Sequence, residues 1–206
     1  MRERTMNLAV LTILATLWGA LELTFGTALH ALGVPFTGAI MTALAVPFLV
    51  VGRLAVPRFG SSFGMGLVAS FLKMLLMGGA ALGVILGILV ETILFDLALG
   101  GGPPRRERSA LGGALALAWS LVHPFFYLGI FVGWPFGQIY AWFLGMLDRV
   151  LGLPSAWGFL AVVAATGIYA LVGAVVGWFS FSFASLIEGR STVLQKLQRL
   201  RNAESL

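Results

Sequence analysis

The lysines and arginines of this 206-residue chain are bunched, and long apolar runs separate the bunches. Eleven of the thirteen fall in four clusters: Arg2 and Arg4; Arg53 and Arg58; Arg105, Arg106 and Arg108; and Arg190, Lys196, Arg199 and Arg201. Each interval between clusters has room for two crossings by apolar helices of about 20 residues. Lys and Arg collect on the cytoplasmic side of a membrane, so the four clusters mark one face. The pattern predicts an all-α integral membrane protein. Six transmembrane helices form one bundle, with N and C termini cytoplasmic, in the inner (plasma) membrane of the cell.

Composition agrees. The chain is 59% hydrophobic and 10% charged, against roughly 25% charged in a soluble domain, and its mean hydropathy is +0.99. Spans are expected at about 7–29, 36–51, 62–77, 80–99, 110–131 and 158–186. They make a membrane domain over 1–189, followed by a basic tail over 190–206. In that tail Leu194, Leu197 and Leu200 repeat at helical spacing opposite Lys196, Arg199 and Arg201, as in an amphipathic helix on the inner surface. Six spans use about 120 positions, which leaves no room for a nucleotide-binding domain. Any use of ATP therefore falls to a partner. The net charge of +5 is accounted for by the inner face rather than by nucleic acid. The absence of Cys excludes disulfides and thiolate chemistry. The first apolar run is too long for a signal peptide and contains Glu22, so it reads as an uncleaved span.

Turn residues place the connections. Residues 30–38 form an outer connection, Gly78-Gly79 an outer turn and residues 100–108 an inner loop. The segment 132–157 reads as an outer stretch holding an interfacial helix at 138–150, because a crossing there would put the basic tail outside. Trp134, Tyr140, Trp142 and Trp157 suit an aromatic belt.

Ionisable residues inside spans are costly and usually face the bundle interior. Here they are Glu22, Lys73, Glu91, Asp96 and His123, with His30 at an outer end. Asp96 lies near the inner end, where Arg105 or Arg106 is the expected partner. Ala15, Gly19, Glu22, Gly26 and His30 share one helical face, as do Gly112, Ala116, Trp119, His123 and Tyr127, and Gly83, Gly87 and Glu91. Pro124 should kink its helix. The expected substrate-binding residues are Glu22, His30, Lys73, Glu91, Trp119, His123, Tyr127 and Trp134, gathered toward the outer half. Glu22 and Lys73 either pair with each other or contact a ligand.

No catalytic residue is expected. A serine protease needs a His base beside its nucleophile, yet Gly60-Ser61-Ser62 lies at the inner face and His123 toward the outer one. His-Glu-x-x-His is absent, and no spacing specifies a metal site.

About 200 residues, six spans, inner termini, no ATPase domain and an outer-half site together resemble the substrate-binding S component of energy-coupling factor (ECF) importers. The resemblance implies a small vitamin or related nutrient as substrate. It also implies a transmembrane coupling subunit and two cytoplasmic ATPase subunits as partners, with no cofactor in this chain and ATP used by those ATPases. By the same resemblance, Ala15-x-x-x-Gly19 is the nearest match to the small-residue motif that docks the coupling subunit. Residues 30–38 would gate the substrate, and 134–140 would be a second cover. Aromatic walls suit a planar heterocycle; Lys73 or a protonated His suits a carboxylate or phosphate, whereas Glu22 suits a cation. The competing expectations are an autonomous oligomeric secondary transporter or channel, and a lipid-modifying membrane enzyme.

Overall fold

In the computed structural model, the backbone is described for residues 2–77 and 82–204, and side chains for 5–75 and 82–187. The expected Gly78-Gly79 turn lies outside the described residues. Among those residues the chain is all helical, without strands. Helix α1 (Arg2–Leu21) passes through a π turn (Glu22–Gly26) into α2 (Thr27–Ala31). Then come α3 (Thr37–Ala55), α4 (Ser61–Met77), α5 (Leu82–Leu99) and α6 (Arg106–Tyr127). A second π turn (Leu128–Val132) leads to α7 (Phe136–Leu151), and a short 3-10 turn (Ser155–Trp157) leads to α8 (Phe159–Glu204).

Helices Thr5–Ala31, Thr37–Ala55, Leu82–Leu99, Arg106–Val132 and Phe159–Ile187 are long and apolar enough to cross a membrane by length and composition; Ser61–Leu75 is apolar but shorter. Their outward sides are apolar too, with Leu171 and Phe179 each 67% exposed. Surfaces of that kind suit lipid rather than water. The chain has the character of a multi-pass membrane protein.

Two boundaries differ from expectation. α3 continues to Ala55 and takes in Arg53, which is fully buried rather than part of a loop. α8 runs without a break through Gly189 to Glu204, where a separate tail helix was expected. A single Gly costs only about 1 kcal/mol in a helix, and no Pro follows to end it. The side-chain faces of that tail lie outside the described residues.

The burial of Arg53 has a clear cause. Its guanidinium sits 3.4 Å from Asp96 and donates to the carbonyls of Arg58 and Gly100 and, at 3.1 Å, to that of Gly102. Asp96 also accepts from the backbone N–H groups of Ser62 (3.4 Å) and Phe63 (3.0 Å). Those are free donors in the first turn of α4, where a carboxylate is favoured. The partner of Asp96 is thus Arg53, not Arg105 or Arg106. Arg105 is exposed, and Arg106 lies over the Trp178 ring at 4.8 Å.

α6 and α8 make the most extensive contact in the bundle. They meet at Gly113, Gly173 and Gly177, where an added Cβ would run into the carbonyls of Gly173, Gly113 and Ser109 respectively. Gly173-x-x-x-Gly177 is the small-residue spacing that lets membrane helices touch backbone to backbone. Around these elements Trp18, Met65, Phe95, Leu99, Leu117 and Phe143 fill the core.

Asp96→Ala should lower stability by about 3 kcal/mol, because it leaves a buried guanidinium without its counter-charge. Arg105→Ala should stay within about 0.5 kcal/mol of the parent. Thermal unfolding in mild detergent compares the two, and similar losses would remove Asp96 from its anchoring role.

Candidate functional site

The antiparallel helices bring polar side chains together at two levels. One level holds Arg53, Asp96 and the start of α4. The other holds Glu22 with Lys73, and Thr42 with Glu91. Along α3 the two levels are about 16 Å apart, at 1.5 Å per residue. A cavity of about 510 Å³ opens at the second level, away from the turns that carry Arg58 and Arg105. That volume falls in the usual range for small-molecule sites, about 300–1,000 Å³.

Glu22, His30, Lys73, Glu91, His123 and Tyr127 all line this cavity. They come from the first π turn, α2, α4, α5 and α6, so five stretches of chain converge. Glu22 lies inside the π turn, where the extra residue per turn shifts the face that a side chain presents.

Lys73 donates to Glu22 at 2.6 Å, with both side chains buried. Of the two expectations for these residues, pairing with each other is what the geometry shows. Each still faces the cavity. Glu91 is 7% exposed, and its Oε1 lies 2.8 Å from the Thr42 hydroxyl. Thr42 Oγ1 is also 2.9 Å from the Gly38 carbonyl. A hydroxyl has one proton to donate, so it serves one of these acceptors at a time.

His123 owes its orientation to Pro124. Proline has no N–H, so the Ser120 carbonyl lacks its helical partner. His123 Nδ1 lies 3.2 Å from that oxygen. A carbonyl can only accept, so Nδ1 carries the proton. In the neutral ring Nε2 is then an acceptor. It comes within 3.4 Å of where a Cβ would stand on Gly87. Tyr127 packs in the same way on Gly83, at 2.8 Å. The glycine stripe of α5 thus accepts the aromatic stripe of α6, four residues to four.

Two expected residues lie elsewhere. Trp119 does not line the cavity; it stacks on Phe126 at 5.4 Å, behind His123. Trp134 also stays out, and its backbone N–H donates to the carbonyl of Leu128, the first residue of the second π turn. The stripe holds across Pro124, since His123 and Tyr127 both line the cavity, and Trp119 falls outside it one turn earlier. Ala15 and Gly19 were expected on a docking face, yet both are buried. Gly19 is close enough to Ala69 and Leu72 of α4 that its missing side chain admits that helix.

Other lining residues were not foreseen. Trp142 and Met146 reach the cavity from α7, which turns Ile139, Phe143 and Leu147 inward. α7 occupies the expected interfacial stretch 138–150 and acts as a cover. The connection after α2 supplies Val34, Pro35 and Phe36. Among the described residues Phe36 is the non-glycine residue with a left-handed backbone, φ 56°. Its ring sits edge-on to Tyr169 at 5.5 Å, and the Thr37 hydroxyl donates to the Val34 carbonyl at 2.7 Å. Thr42 and Ser120 gave no signal beyond being hydroxyls in apolar runs.

Among the described residues no group of three His, Asp or Glu side chains is placed to hold a metal ion. No family model, curated protein or solved structure matches the chain.

Removing one member of a buried ion pair strands the other and costs roughly 3 kcal/mol, while removing both costs much less. Lys73→Met is therefore expected to melt well below the parent, and Glu22→Gln/Lys73→Met much closer to it. If the double variant melted as low as the single one, charge pairing would not be what holds α1 to α4.

Proposed function

We propose that this chain is the membrane-embedded substrate-binding subunit, or S component, of an ATP-driven ECF-type importer for a vitamin-sized nutrient. In this reading it has six spans, with α4 among them, and cytoplasmic termini in the plasma membrane. It binds substrate in the outward half and passes it on only when joined to a coupling subunit and ATPases. The observation that carries the reading is the cavity: polar groups from five stretches of chain converge at one end, and the opposite end is closed. Below the cavity Leu49 and Met65 are almost completely buried. Beneath them Arg53 and Asp96 tie the turns together. A binding cup open at one end suits a subunit that captures solute and depends on partners for release. A channel calls for a polar path through the whole thickness. The arginine-bearing turns at the closed end favour the cytoplasmic side for it.

Native mass spectrometry of the detergent-purified chain should show a retained small molecule that is lost in Glu91→Ala. Proteoliposomes containing this chain alone should take up no solute. Gradient-driven uptake by the chain alone would overturn the reading.

Orientation has its own test, made clean by the absence of Cys. In intact cells an impermeant maleimide should label Ser155→Cys, and should label Gly101→Cys only after permeabilisation. The reverse pattern would invert the topology.

A further inference from the structure

Charge within the cavity is not balanced. Lys73 is committed to Glu22 at 2.6 Å, and that pair is neutral as a unit. Among the described residues Glu91 has no ion-pair partner, although it is 7% exposed. Its contact is the Thr42 hydroxyl, which the Gly38 carbonyl also claims. A carboxylate taken this far out of water needs a counter-charge or donors from somewhere. His123 also lines this space, and its Nε2, the acceptor left when Nδ1 is held by the Ser120 carbonyl, lies against Gly87. The Tyr127 ring lines the same wall, packed on Gly83 and stacked with Phe131 at 5.9 Å.

We infer that the cavity takes a small organic cation carrying N–H donors, with Glu91 as its counter-ion, His123 Nε2 as a second acceptor and Tyr127 as the face it packs on. This rests on the binding-subunit reading and narrows it to one charge class. A bare metal ion is disfavoured by the donor set, since three His, Asp or Glu side chains do not converge. An anion at Lys73 would share that ammonium with Glu22 and would sit beside two carboxylates, Glu22 and Glu91. A planar amidinium or aminopyrimidine-like ring offers paired N–H donors to Glu91 while stacking on the tyrosine. A charged group over an aromatic face adds further attraction.

Three near-isosteric probes separate the charge classes: benzamidine (cation), benzamide (neutral) and benzoate (anion). Each is added at matched ionic strength to the purified chain in a non-ionic detergent, and the thermal shift is measured over a concentration series. Benzamidine is expected to stabilise at about tenfold lower concentration than benzamide, and benzoate not at all. In Glu91→Gln, which keeps the side-chain shape, the advantage of benzamidine over benzamide should vanish. The ranking in the unmodified chain decides by itself if that variant does not fold. Benzamide ranking first would mean that Glu91 holds a proton and needs no cation. Benzoate ranking first would point to Lys73. Either result, or no shift with any probe, overturns the cation assignment. Those failures leave the subunit reading in place, because it falls only on uptake by the chain alone.

Discussion

α4 is held at both ends by buried charge, and the bundle is arranged around that fact. At its start, Asp96 of α5 accepts from two backbone N–H groups and pairs with Arg53 of α3. Near its other end, Lys73 pairs with Glu22 of the first π turn. Over its described residues α4 buries polar side chains (Ser61, Ser62, Ser70, Lys73) alongside Met65 and Ala69, so directional contacts carry much of its placement. A charge without a partner is far costlier in a low-dielectric interior than in water. Each pair therefore fixes not only a distance but also which helices are neighbours.

The cavity follows from where side chains are small. Gly83 and Gly87 leave room on α5 for the rings of Tyr127 and His123, and Gly19 lets α4 close onto α1. Packing these rings against glycine sets them along the wall rather than across the space. Pro124 then decides how one of them is turned, by freeing a carbonyl that His123 takes up. α7 and the connection through Phe36 complete the enclosure from above.

Much of this was legible in the sequence. Apolar runs between arginine clusters gave helices close to their observed bounds. Of the eight expected substrate-binding residues six line the cavity: Glu22, His30, Lys73, Glu91 and His123, singled out as ionisable groups in or beside apolar runs, and Tyr127, singled out by helical spacing. Tryptophan is not informative in that way. Trp119 and Trp134 are apolar enough to pack anywhere, and a π turn redirects a face without leaving a sequence mark. Arg53 read as a loop residue because clustered Arg usually means water; its burial depends on Asp96, 43 positions away. Thr42 became visible only with Glu91 beside it. Gly173-x-x-x-Gly177 carries a readable spacing, but Gly113, one of 27 glycines, is distinguished only by contact.

Where α6 and α8 cross at those glycines, there is no side chain to change rotamer. The contact has lost no side-chain entropy on forming, and it closes backbone on backbone. The two helices behave as one beam. A change in the size of the cup would then come from α1 to α4 and from the lid built of α7 and the Phe36 turn. The mechanical asymmetry of the molecule, a stiff half facing a half pinned by charge, is thus set by the absence of three methyl groups.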